Sequence, residues 1–212
     1  MSPASPNDRI VWIDCEMTGL DVRSDALVEV AAVVTDSELN VLGDGVDVLI
    51  APPAEALEGM DDFVRDMHTR SGLLEELKTA GTMADAEKAV MEYVTEWVPD
   101  PRKAPLAGNS VGTDKMFLDR DMPQLVGHLH YRIIDVSSIK ELARRWFPRV
   151  YFASPKKDGG HRALADILES IDELRYYREA LFVPQPGPDS ATARAVAARI
   201  SETSVTKRPT VS

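Results

Sequence analysis

A single cysteine, Cys15, is all the thiol chemistry in this 212-residue chain. It has no disulfide partner and sits inside an apolar run, which fits a reducing compartment. Long hydrophobic stretches are missing too, and none approaches the length of a membrane span. The opening Met-Ser-Pro-Ala-Ser-Pro-Asn-Asp-Arg has neither the charged nor the apolar region of a secretion signal. These absences lead to the expectation of a cytoplasmic protein. Basic residues are outnumbered, 24 against 35 acidic ones, giving a formal net charge of −11. Proteins that track long nucleic acids usually carry a basic face and release many counterions. This chain as a whole lacks that surplus, although net charge is silent on local patches. It also lacks internal repeats.

What is present suits one globular domain: 44% hydrophobic and 28% charged residues are ordinary proportions. Residues 1–8 read as a loose arm, 9–183 as the folded domain, and 184–212 as a mobile tail. The tail is rich in Pro, Ser, Thr and Ala, with a short helix near 190–200. Three strands are expected at 9–16, 27–35 and 41–50, joined by short turns as an antiparallel meander. Residues 55–98 lean helical, most clearly at 82–98, where Thr82 can cap the start and Pro99 closes the end. Beyond them lie a short strand at 105–108, a helix from Lys115 and a strand at 131–136. Helices at 138–147 and 162–181 follow, the last with Leu164, Ile167, Leu168, Ile171 and Leu174 as its apolar stripe. This order predicts an α/β domain on a mixed five-stranded sheet flanked by helices.

The first strand ends in Trp12-Ile13-Asp14-Cys15-Glu16-Met17-Thr18-Gly19-Leu20. Side chains alternate across a strand, so Asp14 and Glu16 share one face and Cys15 takes the other. Two carboxylates on a core strand repel each other and resist burial, and a divalent cation is the usual resolution. Asp114, after the 105–108 strand, and Asp166, inside the last helix, are candidates to complete the site. His161 lies five residues before Asp166, at the entrance of that helix beside Gly159-Gly160. An imidazole there, with an unperturbed pKa of about 6.5, can act as a general base. Taken alone, Asp114 also reads as a helix cap, Asp166 as a surface residue and His161 as an exposed loop residue.

The ordered set resembles the DEDDh exonuclease superfamily, with its ribonuclease-H-like fold. Within it the chain is similar to the oligoribonuclease family. The likeness is carried by Trp12 to Asp21, Gly108-Asn109-Ser110, His130-Tyr131-Arg132 and Asp135-Val136-Ser137-Ser138. It continues through Lys140 to Trp146, His161-Arg162-Ala163 and Asp166-Ile167, and covers about residues 8–181.

That resemblance implies that Asp14, Glu16, Asp114 and Asp166 hold two divalent ions, Mg²⁺ or Mn²⁺, and that His161 takes a proton from the attacking water. It implies a 3′-to-5′ exoribonuclease that releases nucleoside 5′-monophosphates from short oligoribonucleotides, 5′-phosphorylated diribonucleotides above all. Leu20 is expected to wedge between two bases and Phe63 to stack on one. Many relatives have Trp at that position, so stacking on Phe63 is expected to be weaker. His68, Ser110 and Ser137 resemble the residues that close around the 5′ phosphate. Tyr131 and Arg132 join them from the other subunit of a homodimer, where the fork of Arg suits a phosphate. Such a cap concentrates affinity on one terminal phosphate, which agrees with the acidic body. From the residues alone, Leu20 and Phe63 also read as core packing, and Ser137 as the cap of the 138–147 helix. Lys156 and Lys157 read as solvated loop lysines that can add positive charge near the entrance.

Three other readings are weighed against this one. A DEDDh exonuclease acting on longer single-stranded DNA or RNA favours a more basic groove. Asp14-x-Glu16-x-Thr18 has a faint likeness to the Asp-x-Asp-x-Thr of haloacid-dehalogenase-type phosphatases, whose first Asp is a nucleophile. The Glu at the second position and the antiparallel meander are against it. A non-catalytic nucleotide-binding dimer is disfavoured by the full set of carboxylates together with His161.

Overall fold

The computed structural model describes residues 8–156 and 160–203; residues 1–7, 157–159 and 204–212, and with them Lys157 and most of the expected arm, lie outside the described residues. The chain runs β1 (Ile10–Met17), β2 (Leu27–Thr35) and β3 (Val41–Leu49), then helices α1 (Ala54–Glu58), α2 (Asp62–Arg70) and α3 (Leu73–Glu76). A 3₁₀ turn at Leu77–Thr79 leads into α4 (Met83–Trp97). There follow β4 (Pro105–Gly108), α5 (Gly112–Asp121), α6 (Pro123–His128) and β5 (His130–Asp135). The last elements are α7 (Val136–Trp146), α8 (Pro148–Phe152), α9 (Ala163–Leu181) and α10 (Ser190–Glu202).

The strands form one five-stranded sheet in the order β3-β2-β1-β4-β5. The first three make the expected antiparallel meander, whereas β4 pairs with β1, and β5 with β4, in parallel. Parallel neighbours need a crossover, which α1–α4 and then α5–α6 supply. All nine residues of β2 are buried, so its sequence shows no alternation: both faces are covered.

Alternation along β1 divides the core. Val11, Ile13 and Cys15 pack with α4, α5 and α6 on one side of the sheet. Trp12 packs on the other with Ala31, Val33, α7 and α9, and its Nε1 donates to Thr35 Oγ1 at 3.0 Å. Asp14 and Glu16 continue the Trp12 face and so meet α9. Gly108 ends β4 where a Cβ would lie 2.9 Å from the Ile13 carbonyl oxygen, so the close approach of β4 to β1 requires glycine there.

Most boundaries agree with the sequence reading to within one residue. The helix expected from Lys115 starts at Gly112, and that expected at 138 starts at Val136. On α9, Ile167, Ile171 and Leu174 are buried, but Leu168 is exposed. The helix expected near 190–200 is α10, all of whose residues are exposed.

Candidate active site

β1 delivers Asp14 and Glu16, and the first turn of α9 delivers Asp166. One carboxylate oxygen from each lies within 4.8 Å of the others. Asp14 and Asp166 are half-buried and Glu16 is buried. Burial pushes the Glu16 carboxyl up to about 9, and the charges of Asp14, Glu29, Asp166 and Asp114 push the same way. Such a cluster settles either by holding protons or by holding a cation. The donors are all carboxylate oxygens, hard ligands of the kind Mg²⁺ and Mn²⁺ take. The residues present therefore fit a divalent metal.

Asp114 stands beside these three. It is buried in α5, and its Oδ1 accepts from the backbone N–H of Cys15 at 3.0 Å. It is not a cap: Val111 occupies the N-cap position of α5, without a side-chain cap bond. Burial raises the Asp114 carboxyl to about 6. Burial, followed by the charges of Asp114, Asp14 and Glu16, pushes the Cys15 thiol up as well. A thiol so held is inert, as its place in the core suggests.

His68, on α2, has no exposed surface. Its Nε2 lies 2.8 Å from the Met17 carbonyl oxygen, which can only accept, so Nε2 carries the proton. Nδ1 is buried without a hydrogen-bond partner, 3.9 Å from Glu16 Oε2. Burial holds the imidazole below its ordinary pKa. The imidazole thus stands beside Glu16 at the end of β1.

His161 is exposed, two residues before α9, with a left-handed φ of 48°. It lines a pocket with Phe63, Met67, Arg70 and Gly160. Phe63 and Leu20 are 73% and 72% exposed, which removes core packing as their role. Leu20 sits on a turn fixed by Asp25. Asp25 Oδ1 accepts from Thr18 Oγ1 at 3.1 Å, and its Oδ2 accepts from the Asp21 N–H at 2.8 Å. Thr18 Oγ1 in turn accepts from the Ala26 N–H. At Gly19 a Cβ would lie 2.5 Å from Asp25 Oδ2, so any larger residue there must displace the Asp25 carboxylate.

Ser110 and Ser137 meet, with their hydroxyl oxygens 3.0 Å apart. Asp135 Oδ1 accepts from both backbone N–H groups, and the bond from Ser137 makes Asp135, not Ser137, the cap of α7. The Ser137 hydroxyl instead donates to Asn109 Oδ1, while Asn109 Nδ2 donates to Ser170 Oγ and Glu173 Oε2. Lys140 Nζ lies 3.0 Å from Glu173 Oε1. Tyr131 and Arg132 lie near the start of edge strand β5, with the guanidinium 5.5 Å from the ring centre. Four residues of strand rise put Tyr131 ~13 Å from Asp135 along the strand. Lys156 is exposed.

Three residues that the sequence reading gave no role help to build the site. Glu29 is wholly buried and faces Glu16 across the β1–β2 ladder. Arg162 lies beside Glu29, and Asp25 locks the Leu20 turn. A lone carboxylate in the apolar run Leu27–Thr35 was the available signal for Glu29.

The RNase_T exonuclease family model matches residues 11–174. The oligoribonuclease of Streptomyces coelicolor is 71% identical over 91% of this chain and 96% of its own length. That of Leifsonia xyli is 60% identical, over 94% and 96%. That of Mycobacterium tuberculosis is 59% identical, over 92% and 91%. Among solved structures, the zinc-bound complex of Escherichia coli exonuclease I with single-stranded DNA superposes with a TM-score of 0.65 at 16% identity. Exonuclease I of Methylocaldum szegediense gives 0.59 at 19%. Each match covers 82% of this chain, which spans only 41% of those longer chains. The shared architecture is the ribonuclease-H-like exonuclease fold. By a family match across most of its length and curated relatives this similar, the chain belongs to the oligoribonuclease family of exonucleases.

Proposed function

We propose that this enzyme is a 3′-to-5′ exoribonuclease that hydrolyses short oligoribonucleotides, preferentially 5′-phosphorylated diribonucleotides, to nucleoside 5′-monophosphates. The observation that carries the reading is the meeting of Asp14, Glu16 and Asp166 at the end of β1. Leu20, Phe63 and His161 are exposed, and Phe63 and His161 line one pocket. Family membership supports short RNA as the substrate, and the net charge of −11 disfavours long nucleic acid.

Asp14, Glu16, Asp114 and Asp166 hold two divalent ions, Mg²⁺ or Mn²⁺, in this reading. When bound, the ions activate water and neutralise charge at the scissile phosphate. Leu20 separates the two bases and Phe63 stacks on one of them. His161 accepts the proton of the attacking water as the phosphorus–O3′ bond breaks, and the departing 3′-oxygen takes up a proton. Ser110 and Ser137 close around the 5′ phosphate, with Asp135 and Asn109 holding them in place. His68 closes around the same phosphate with them, and its buried Nδ1 has no other hydrogen-bond partner.

Tyr131 and Arg132 complete the phosphate pocket from the second subunit of a homodimer. Supporting this, Tyr131 and Ile133 on β5, Leu142 and Trp146 on α7, and Phe152 on α8 are large apolar side chains left exposed. Among the described residues no helix is long and apolar enough to cross a membrane. With the buried, unpaired Cys15, this accords with a cytoplasmic enzyme.

A labelled 5′-phosphorylated diribonucleotide tests the reading. Mononucleotide is expected with Mg²⁺ or Mn²⁺ and none with EDTA; full activity in EDTA would contradict it.

A further inference from the structure

We propose that Arg162 is a positioning residue for His161: its guanidinium fastens the entrance of α9 to the sheet and to α3, and so fixes the direction in which His161 faces. The inference rests on the reading of His161 as the base. Arg162 Nε lies 3.0 Å from Glu29 Oε1. Its Nη1 and Nη2 lie 3.0 and 2.9 Å from Glu76 Oε1 and Oε2. Glu29 is buried in β2 and Glu76 is the last residue of α3. One side chain thus ties three elements together, with the planar fork meeting Glu76 at two points, a geometry that a lysine cannot reproduce.

The backbone carries the consequence to both neighbours. The carbonyl of Arg162 accepts from the Asp166 N–H at 3.0 Å and opens the turn that carries Asp166. Immediately before it, His161 holds a φ of 48°, which residues with a Cβ rarely adopt. Strain of this kind persists where the surroundings over-determine it. Arg162, with φ −129° and ψ 125°, is extended and turned inward to Glu29, while His161 lines the pocket beside Phe63, Met67 and Arg70. A base displaced by about 1 Å can lose on the order of a hundredfold in rate, so an anchor one residue away has leverage on turnover.

A merely structural staple would stabilise α9 without acting through His161. Turnover of the labelled diribonucleotide with Mn²⁺ separates the two roles. It is measured as kcat and KM for Arg162→Lys, Glu76→Gln, His161→Ala and the Arg162→Lys/His161→Ala double variant, with melting followed by circular dichroism. Arg162→Lys keeps the charge and loses the fork. The expected result is a kcat lowered by about 10- to 100-fold with KM within about twofold, and a smaller loss for Glu76→Gln. In the His161→Ala background, Arg162→Lys is expected to lower kcat no further. Wild-type kcat in folded Arg162→Lys, or losses that multiply in the double variant, overturns the proposal. Wild-type kcat in His161→Ala instead overturns the general-base reading on which it rests. Should Arg162→Lys fail to fold, Glu76→Gln decides: Glu76 is exposed, and an unchanged kcat there overturns the proposal.

Discussion

The backbone N–H of Cys15 donates to Asp114 Oδ1 at 3.0 Å. This bond pins a carboxylate from α5 to the strand between Asp14 and Glu16. It gives Asp114 two separable functions, acceptor and charge. Asp114→Asn keeps an acceptor and loses the charge; Asp114→Ala loses both and leaves a buried N–H unpaired, at ~1–3 kcal/mol. We expect both variants to lose at least about tenfold in Mn²⁺ affinity. Only Asp114→Ala should also melt markedly lower. Manganese titration and thermal melts check this.

Crowding at Glu16 has a signature in pH. Its carboxyl is raised from 4.5 to about 9 and that of Asp114 from 3.8 to about 6 in the folded protein. A raised acid stabilises the fold below its unfolded pKa and loses that contribution as pH climbs through the folded value. Protein in EDTA should therefore melt at progressively lower temperature between about pH 4.5 and 9. Glu16→Gln should flatten that slope, and so should Mn²⁺. An equal slope in wild type and Glu16→Gln would contradict the account.

The Leu20 turn offers a test apart from the metal. In Gly19→Ala the new methyl meets Asp25 at 2.5 Å and must displace a side chain already bonded to Thr18 and Asp21. Overpacking of this kind costs ~1–3 kcal/mol. Melting should fall accordingly and kcat/KM on the diribonucleotide should drop, while Mn²⁺ affinity stays unchanged. A variant with full kcat/KM would mean that the presentation of Leu20 is unimportant.

His161 stands outside the carboxylate cluster, exposed at the entrance of α9. His161→Ala is accordingly expected to lose most turnover, on the order of 10²–10⁴-fold for a lost general base, and to keep metal affinity. Loss of Mn²⁺ binding in that variant would count against the role.

How far the sequence could be read depended on whether the controlling contact was local. The strands Leu27–Thr35 and Pro105–Gly108 were legible to the residue, because apolar runs bounded by turn residues encode them directly. The face shared by Asp14 and Glu16 followed from alternation alone. The start of α7 did not, because Ser137 has the composition of a cap while Asp135 does the capping. Asp114 was legible as an acid at a helix start, but its acceptor role spans 99 residues. Arg162 bonds partners 133 and 86 residues away, a pairing set by the packing of α9 and α3 that no local pattern records. The burial of His68 beside Glu16 likewise depends on how α2 docks, 51 residues along the chain from Met17.

The central claim is that this site is built for the shortest RNA chains. Its most direct test compares kcat/KM for 5′-phosphorylated RNAs of two and of seven nucleotides, at equal Mn²⁺ and ionic strength. The account predicts that the dinucleotide is turned over faster by at least about tenfold, the discrimination expected when a closed phosphate pocket excludes the longer chain. Equal rates, or faster turnover of the longer RNA, would contradict it.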